Sequence, residues 1–419
     1  QIKTDFKRMK ILIIGNHSCG NRGDGAIIRG LIEELEQQLP NIGLDLVSRF
    51  PVSSEILLSR PFKNDWLYKY QPYKGGLKSK IKNKIQKPIL LERLLSSAKT
   101  GDIHKSLPIE FKSYINELKG YDYVIQVGGS FFVDLYGVGQ FHHALCALAA
   151  QVPLLILGHS VGPFEDKKFC EISELVFHRA KIFGLRESVS KRLLEERFAL
   201  PKSYVKGADT AWLVNNNNVD IENKALLDFI AGGKTVAITL RELKPFDKRL
   251  GVSQEDYERS FAELCNELIE DGYQVLACST CTGIEGYQKD DRMVAYKLSK
   301  HIRDVSKYKI VMDELNDVEL GTLLSHCELT IGTRLHSAII SMNFGTPAFA
   351  LNYEHKSEGI MNQLGLPSFG APLSELLNGQ LICKVKECIS NIDEAREKVR
   401  AAVVAEKGRA KDMIKVVTQ

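Results

Sequence analysis

The 419-residue sequence lacks the features of several large protein classes. It contains no apolar run of the roughly 18 residues that a membrane-spanning helix needs. Its net charge of +4 suits anionic ligands or surfaces but falls far short of the charge density of a nucleic-acid-binding protein. Residues 1–10 are polar and charged, so we expect no signal peptide. We take Met9 as a natural start, which makes residues 1–8 either a cloning remnant or an extension. We therefore predict a cytoplasmic globular protein that binds no nucleic acid.

The cysteines do not form a disulfide or metal framework. There are nine of them, an odd number, and Cys146, Cys265 and Cys327 fall at apolar positions, which is typical of buried free thiols in a reducing compartment. Residues 278–281 form one C-x-x-C, but no second pair stands at zinc-site spacing. The adjacent acids within residues 289–292 are interpreted as a helix start. We therefore predict no metal site.

Several catalytic and cofactor motifs are also missing. The sequence contains no G-x-G-x-x-G loop, no lysine-containing P-loop and no nucleophile elbow with a Ser/His/Asp set. These absences argue against flavin, nicotinamide and serine-nucleophile chemistry. The residues that remain favour acid-assisted transfer to or from an anionic donor, without a resident cofactor.

Short apolar runs alternate with amphipathic helical patterns, and most of the runs end in polar turns that contain glycine. In the first half of the chain such runs occupy residues 10–15, 44–48, 121–127, 153–158 and 181–185. In the second half they occupy residues 235–240, 274–278, 309–312, 329–331 and 348–351. This alternation indicates parallel α/β sheets, whose ligands gather at the carboxyl ends of the strands.

Four consecutive asparagines at residues 215–218 interrupt the alternation and are interpreted as a linker. We predict two α/β domains, residues 9–214 and 219–379, whose strand ends face each other across a cleft. A helical segment at residues 380–419 is expected to pack back across both domains.

The most informative segment is residues 331–337, where a strand-like run ends in Gly-Thr and is followed by Arg334, Leu335 and His336. A helix that begins there offers a permanent cation, a titratable proton donor and free backbone N–H groups at one point. Lys356 follows the next strand and should reach the same edge of the sheet. The set suits a phosphorylated and carboxylated small molecule. The alternative is a core histidine beside a surface ion pair.

In the first half, Arg186 follows a strand and begins a helix, which again suits an anion, although it could instead pair with Glu187. Asn21 and Asp24 lie in a loop after the first strand and could bind sugar hydroxyls. Residues 128–130, Gly-Gly-Ser, offer unhindered backbone donors, but any tight turn would use the same glycines.

A basic segment at residues 74–87 stands apart, with six lysines and no acid. Leu77, Ile81 and Ile85 recur every four residues within it, on one face of the expected helix. Such a helix can lie on an anionic bilayer. The alternative is a solvated lysine face whose apolar stripe packs on the protein.

Several long motifs resemble those of the polysaccharide pyruvyl transferase family, specifically its colanic acid pyruvyl transferase branch. The resemblance runs over most of residues 9–380. It is densest at G-N-H-S-C-G-N-R-G-D (15–24), Q-V-G-G-S-F-F-V-D-L-Y-G (126–137), G-H-S-V-G-P-F (158–164), L-R-E-S-V-S (185–190), S-T-C-T-G-I (279–284), K-D-D-R-M-V-A (289–295), G-T-R-L-H-S-A-I-I-S-M-N-F (332–344) and N-Y-E-H-K-S (352–357).

The resemblance implies two Rossmann-like domains similar to the GT-B glycosyltransferase fold, with the acceptor on the first domain and the donor on the second. The donor would be phosphoenolpyruvate, and the acceptor a hexose of a lipid-linked oligosaccharide at the inner face of the membrane. The product would be a cyclic pyruvate ketal, with release of phosphate. The basic segment would assist membrane contact.

The family's donor-site Arg-Leu-His carries over to Arg334, Leu335 and His336. Our own hypothesis makes His336 the general acid, either at the methylene carbon or on the departing phosphate, with Arg334 beside it. Lys356 and Arg186 would complete the donor site. The Asn-x-Gly-Asp loop carries over to residues 21–24. At the next position this chain has Gly25, where many relatives have an acidic residue. The predicted acceptor contacts are Asn21, Arg22, Asp24, Gly128, Gly129, Ser130 and His159. Two rival hypotheses remain: a nucleotide-sugar glycosyltransferase of the same fold, and a non-catalytic subunit of a polysaccharide assembly complex.

Overall fold

The computed structural model describes residues 8–353 and 355–418, so the proposed remnant or extension at residues 1–8 lies almost wholly outside the described residues. The strands form two sheets, and every strand pairing within them is parallel. The first sheet contains β1 (Lys10–Asn16), β2 (Gly43–Ser48), β3 (Lys63–Asn64), β4 (Tyr123–Gln126), β5 (Gly129–Phe132), β6 (Leu154–Val161), β7 (Ile182–Leu185) and β8 (Tyr204–Lys206). The second contains β9 (Thr235–Thr239), β10 (Gln274–Cys278), β11 (Tyr308–Ile310), β12 (Leu329–Gly332), β13 (Ala348–Asn352) and β14 (Gly370–Pro372).

Helices cover the sheets and connect the strands. Those of the first domain are α1 (Arg22–Gln38), α2 (Pro51–Leu58), α3 (Trp66–Lys69), α4 (Gly76–Thr100), α5 (Ile109–Leu118), α6 (His142–Ala149), α7 (Lys167–Arg179) and α8 (Ser188–Glu195). Those that follow are α9 (Lys224–Ala231), α10 (Asp247–Leu250), α11 (Gln254–Glu270), α12 (Asp291–Ser299), α13 (Asp317–Ser325), α14 (Leu335–Asn343), α15 (His355–Gln363), α16 (Leu373–Leu377), α17 (Leu381–Ser390) and α18 (Ile392–Lys415). None of the described helices is long and apolar enough to span a bilayer.

The strand order of the first sheet is β3-β2-β1-β4-β6-β7-β8, with β5 beside β6, and that of the second is β11-β10-β9-β12-β13-β14. Each sheet has, near its centre, a strand whose residues are nearly all apolar. In β1 the run from Ile11 to Ile14 is buried, and in β9 every residue is buried. A strand whose two faces are both covered by helices needs apolar side chains on both faces. The predicted α/β class with parallel sheets is confirmed.

The first sheet ends at Lys206 and the second begins at Thr235, so the proposed linker at residues 215–218 lies between them. The C-terminal helix α18 contacts both halves. On the first domain, Met413 packs against Gly184 and Gly207, which leave room beside β7 and β8. On the second domain, Arg396 Nη2 lies 3.1 Å from Glu328 Oε2. The helix therefore braces the two domains together.

Polar contacts of the buried Arg22 and of Arg29 also join the two domains. The Arg22 guanidinium donates to Leu315 O at 2.6 Å and to Glu314 Oε2 at 2.7 Å. Two turns further along α1, Arg29 Nε donates to both carboxylate oxygens of Asp317, at 2.9 and 3.0 Å. Charge-assisted contacts of this kind are short and directional, so they fix how the strand ends of the two sheets face each other.

Candidate active site

A cleft of about 620 Å³ lies between the two domains. Its lining comes from β5 and the segments that follow β1, β2, β5 and β7 of the first sheet, and from the segments that follow β9, β10, β12 and β13 of the second. The carboxyl ends of both sheets therefore open into one space, which is where parallel α/β folds place their ligands.

The lining is strongly cationic. Seven lysine and arginine side chains reach it, and Asp24 is the single carboxylate in the described lining. The seven are Arg49, Arg186, Arg241, Lys244, Lys289, Arg334 and Lys356. An excess of one sign in a cleft with low-dielectric walls focuses the field and concentrates ligands of the opposite sign. The cleft is therefore built for an anion.

Arg334 follows β12 directly and stands at the N-cap of α14. Its Nε and Nη2 atoms donate to the two carboxylate oxygens of Asp291, each at 2.9 Å. Asp291 is buried at the start of α12 and also accepts from Cys281 N at 3.1 Å. The two-pronged contact fixes the Arg334 guanidinium in place. Because it uses only two of the five guanidinium N–H groups, the others remain as donors for a ligand.

His336 lies in the first turn of α14 and contacts the first domain. Its Nε2 is 3.0 Å from Oδ2 of Asp209, which is buried just after β8. The same Oδ2 accepts from Arg186 Nη1 at 2.7 Å, and Arg186 Nε donates to Ser160 Oγ at 2.7 Å. Burial alone would raise the pKa of Asp209, but the charges of His336 and Arg186 outweigh burial and hold it below its usual value. An ionised carboxylate thus orients the imidazole.

Lys356 is buried near the start of α15, and its Nζ donates to Ser130 Oγ of the first domain. This contact brings the lysine to the same cleft as Arg334 and His336. The structure therefore brings together the four side chains proposed from the sequence for an anionic donor. Arg186, Arg334, His336 and Lys356, with Asp209 between two of them, are called the cationic cluster below.

The start of α1 lies against the cationic cluster. The Asn21 side chain caps the helix by accepting from Gly23 N at 3.0 Å. A Cβ on Gly23 would lie 2.6 Å from His336 Cβ, so only glycine allows this approach. Asp24 lines the cleft, and burial raises its pKa to about 6 although the charges of His336, Arg186 and Arg334 oppose the rise. Asp24 is thus a carboxyl group that titrates near neutrality.

Three of the predicted acceptor contacts do not line the cleft, and the predictions for them are corrected here. Arg22 is buried and makes the interdomain contacts described above. His159 is fully buried on β6, where its ring stacks on Phe132 at 4.5 Å and burial lowers its pKa to about 3. Gly128 packs against β6, because an added Cβ would lie 2.6 Å from Gly158 O. Asn21, Asp24, Gly129 and Ser130 do reach the cleft.

Aromatic side chains that sequence reasoning missed form a second part of the cleft. His17 lies 5.5 Å from Tyr287 and 6.3 Å from Phe131, measured between ring centroids, and Tyr136 lines the same space. Burial and the charge of Arg49 lower the pKa of His17 to about 4, so its ring is neutral near pH 7. His17, Phe131, Tyr136 and Tyr287 are called the aromatic wall below. Flat, neutral faces with polar tips suit the apolar face of a sugar ring.

The loop after β9 was also missed. The Arg241 guanidinium lies 4.4 Å from the centre of the Tyr353 ring and 5.2 Å from that of Phe246. Stacking of this kind fixes a planar cation while leaving its edge for polar contacts. No group of three or more histidine, cysteine or acidic side chains is arranged to hold a metal ion within residues 8–353 and 355–418.

Comparison with known proteins places this geometry in a family. The profile described as "Polysaccharide pyruvyl transferase" matches residues 21–355. The chain is similar to the amylovoran biosynthesis protein AmsJ of Erwinia amylovora, with 48% identity over 402 residues that span 95% of this chain and 96% of the relative.

Solved structures of similar fold are much more distant in sequence. The UDP-GlcNAc 2-epimerase of Neisseria meningitidis bound to UDP-GlcNAc aligns with a TM-score of 0.61 at 14% identity, over 98% of this chain and all of that chain. Anabaena HepE in complex with UDP and glucose aligns with a TM-score of 0.57 at 13% identity, over 98% and 100%. At such low identity these structures show the fold alone, and the predicted pair of Rossmann-like domains in a GT-B arrangement is confirmed. The family follows from the sequence matches: the chain belongs to the polysaccharide pyruvyl transferases.

Proposed function

We propose that the protein transfers pyruvate from phosphoenolpyruvate to a hexose of an exopolysaccharide repeat unit, forms a cyclic ketal and releases phosphate. The observation that carries the proposal is the convergence of three cations on His336 in a cleft whose described lining contains one carboxylate. Phosphoenolpyruvate carries its carboxylate and its phosphate on the same carbon, and Arg334 and Lys356 offer a planar fork and a point charge for them. The name of the Erwinia relative supports an exopolysaccharide as product, and a colanic-acid-like repeat unit remains our proposed acceptor.

His336 acts in this mechanism as the general acid. It donates a proton to the methylene carbon of the enol, whose double-bond electrons form the new C–H bond. The neighbouring carbon then becomes an oxocarbenium-like centre, and Arg334, Lys356 and Arg186 compensate the charge that develops on the phosphate. Asp209 keeps the imidazole in position through its contact with Nε2.

Asp24 accepts the proton of the attacking hydroxyl. The first sugar hydroxyl forms a C–O bond to the cationic carbon, phosphate departs with its bridging oxygen, and a second hydroxyl closes the ketal ring. Of the two hydroxyl protons lost, one replaces the proton that His336 gave to the methyl group and the other leaves with phosphate. A carboxyl group with a pKa of about 6 is well matched to accept a proton near neutral pH.

The acceptor is proposed to stack on the aromatic wall, with its hydroxyls directed toward Asp24 and Ser130. A lipid-linked oligosaccharide at the cytoplasmic face of the membrane fits a cleft that is open to solvent beside the wall. No cofactor other than the co-substrate phosphoenolpyruvate enters the proposal.

The test is an assay with phosphoenolpyruvate and oligosaccharide acceptors that carry two neighbouring hydroxyls. We expect phosphate release that depends on both substrates, together with an acceptor mass gain equal to pyruvate less water. Release of UDP or GDP from a nucleotide sugar, without phosphate release from phosphoenolpyruvate, would instead establish a glycosyltransferase. No turnover of either donor, with activity of the assembly complex retained in an Arg334→Ala, His336→Ala double variant, would establish a non-catalytic subunit.

A further inference from the structure

The basic segment forms the first part of α4, and its apolar stripe is exposed. Leu77, Ile81 and Ile85 are 76%, 57% and 59% exposed. Ile89 continues the stripe by one further turn and is also exposed. The alternative in which this stripe packs on the protein is therefore wrong. The second part of the same helix behaves differently, because Leu90, Leu94 and neighbouring side chains are buried in the core.

The helix is held to the protein by the face opposite the stripe. Asn83 is buried and bonds to the preceding loop, with Nδ2 donating to Tyr73 O at 2.8 Å and Oδ1 accepting from Tyr73 N at 3.0 Å. Ile81 and Ile85 stand two residues on either side of Asn83, so they lie about 200° around the helix axis from it. The apolar stripe therefore points away from the protein.

The charge around the stripe has one sign. Lys78, Lys82 and Lys84 are exposed and lie within about 80° of the stripe around the helix axis. Lys80 and Lys87 are exposed elsewhere on the same helix, and Lys74 is exposed just before it. No acidic residue occurs between Asp65 and Glu92. A contiguous exposed apolar patch commonly marks an interaction site. Lysines around apolar side chains are complementary to a bilayer surface, where anionic headgroups lie above acyl chains.

The segment lies close to the mouth of the cleft. Tyr68 on α3 lines the cleft, and Tyr73 is only five positions further along the chain, so their Cα atoms are at most about 18 Å apart. Gln140 lines the cleft as well, two residues before His142. The helix α4 packs against α6, which begins at His142.

We propose that the exposed face of α4, residues 77–89, docks on the surface of an anionic phospholipid bilayer beside the acceptor side of the cleft. The apolar stripe enters the headgroup boundary, and the flanking lysines contact lipid phosphates. This position presents the cleft to an acceptor whose lipid end stays in the same bilayer. The docking concerns binding alone, whereas the presentation of a lipid-linked acceptor rests on the function proposed above.

The test is sedimentation of the full chain with vesicles of phosphatidylcholine alone or of phosphatidylcholine with phosphatidylglycerol. We expect binding to the anionic vesicles that weakens as salt is raised. An Ile81→Ser, Ile85→Ser variant should lose at least tenfold in partitioning. A Lys78→Gln, Lys84→Gln variant should lose about 25-fold, because each lysine near the surface contributes about fivefold. Ile109→Ser on α5 removes an equally exposed isoleucine and is the matched control.

The outcomes separate the proposal from its alternatives. All variants should keep wild-type turnover on a water-soluble oligosaccharide, since they alter exposed side chains outside the cleft. Failure of the wild type to bind anionic vesicles at low salt, or wild-type binding by the Ile81→Ser, Ile85→Ser variant, would overturn the proposal. So would a stable wild-type dimer that this variant converts to a monomer, because the stripe would then be covered by a second copy.

Discussion

The cationic cluster and the aromatic wall share one cleft but are built on different principles. The cluster is locked by buried ionic contacts: Asp209 joins Arg186 to His336, and Asp291 holds Arg334. The wall is held by ring packing around His17, with few fixed charges. A site preorganised by ion pairs suits chemistry in which charge develops, whereas flat rings suit a ligand that is bound mainly by shape. We expect substitutions in the cluster to affect turnover and those in the wall to affect acceptor affinity.

The largest effect is expected for His336→Ala. Loss of a positioned general acid typically costs about 10²–10⁴ in rate, and the fold should persist because the side chain lies at the cleft surface. The measurement is kcat from phosphate release, with circular dichroism as a check on folding. His178→Ala, which removes an exposed histidine on α7, should keep full activity. Near-normal turnover by His336→Ala would remove the histidine from the mechanism.

Asp24→Asn is expected to lower kcat by about 100-fold and to change its pH dependence. In the wild type the carboxyl group must be ionised to accept a proton, so the rate should fall as pH drops through about 6. The variant should lack this acidic limb. The readout is a pH profile of kcat, with the exposed Asp412→Asn as control; a limb near pH 6 that persists in Asp24→Asn would assign it to another group.

Arg334→Lys keeps the charge but loses the planar fork. We expect kcat/KM for phosphoenolpyruvate to fall roughly 10- to 100-fold, because a charge-assisted two-pronged contact is replaced by a point charge and Asp291 is left with a poorer partner. Steady-state kinetics at varied phosphoenolpyruvate measures the change. Arg259→Lys, on the exposed face of α11, is the control. An unchanged value would mean that the donor does not use this arginine.

The smallest effect is expected for the aromatic wall. Tyr287→Ala should raise KM for the acceptor by up to about tenfold while leaving KM for phosphoenolpyruvate unchanged, since a stacked ring contributes about 0.5–1.5 kcal/mol beyond its buried area. Tyr296→Ala, which removes an exposed ring on α12, controls for general loss of stability. A rise in KM for phosphoenolpyruvate instead would contradict the division between cluster and wall.

The sequence predicted the features that depend on local pattern. Apolar runs closed by glycine became the central strands, and the cations that follow β7, β12 and β13 met in one cleft because parallel strands share their carboxyl edge. It did not predict which partners these cations have. Asp209 and His336 are 127 residues apart, and nothing local to either residue indicates that they meet.

Burial of polar side chains was also beyond local pattern. The sequence neighbours Asn21 and Asp24 reach the cleft, but the Arg22 side chain does not. It points toward the second domain, where Glu314 and Leu315 accept its hydrogen bonds. His159 interrupts an apolar strand that is covered on both faces, so its ring is enclosed with the strand. The basic segment shows the converse: its periodicity predicted the helix, but only the structure shows that the stripe is exposed.

The central claim is that the cationic cluster holds phosphoenolpyruvate with its methylene carbon beside His336. A crystal structure of the protein with phosphoenolpyruvate bound tests this claim most directly. We predict that the carboxylate and phosphate oxygens contact Arg334 and Lys356, and that the methylene carbon lies within about 3–3.5 Å of a His336 ring nitrogen. A donor bound away from Arg334 and Lys356, or turned so that the methylene carbon faces away from His336, would contradict the account.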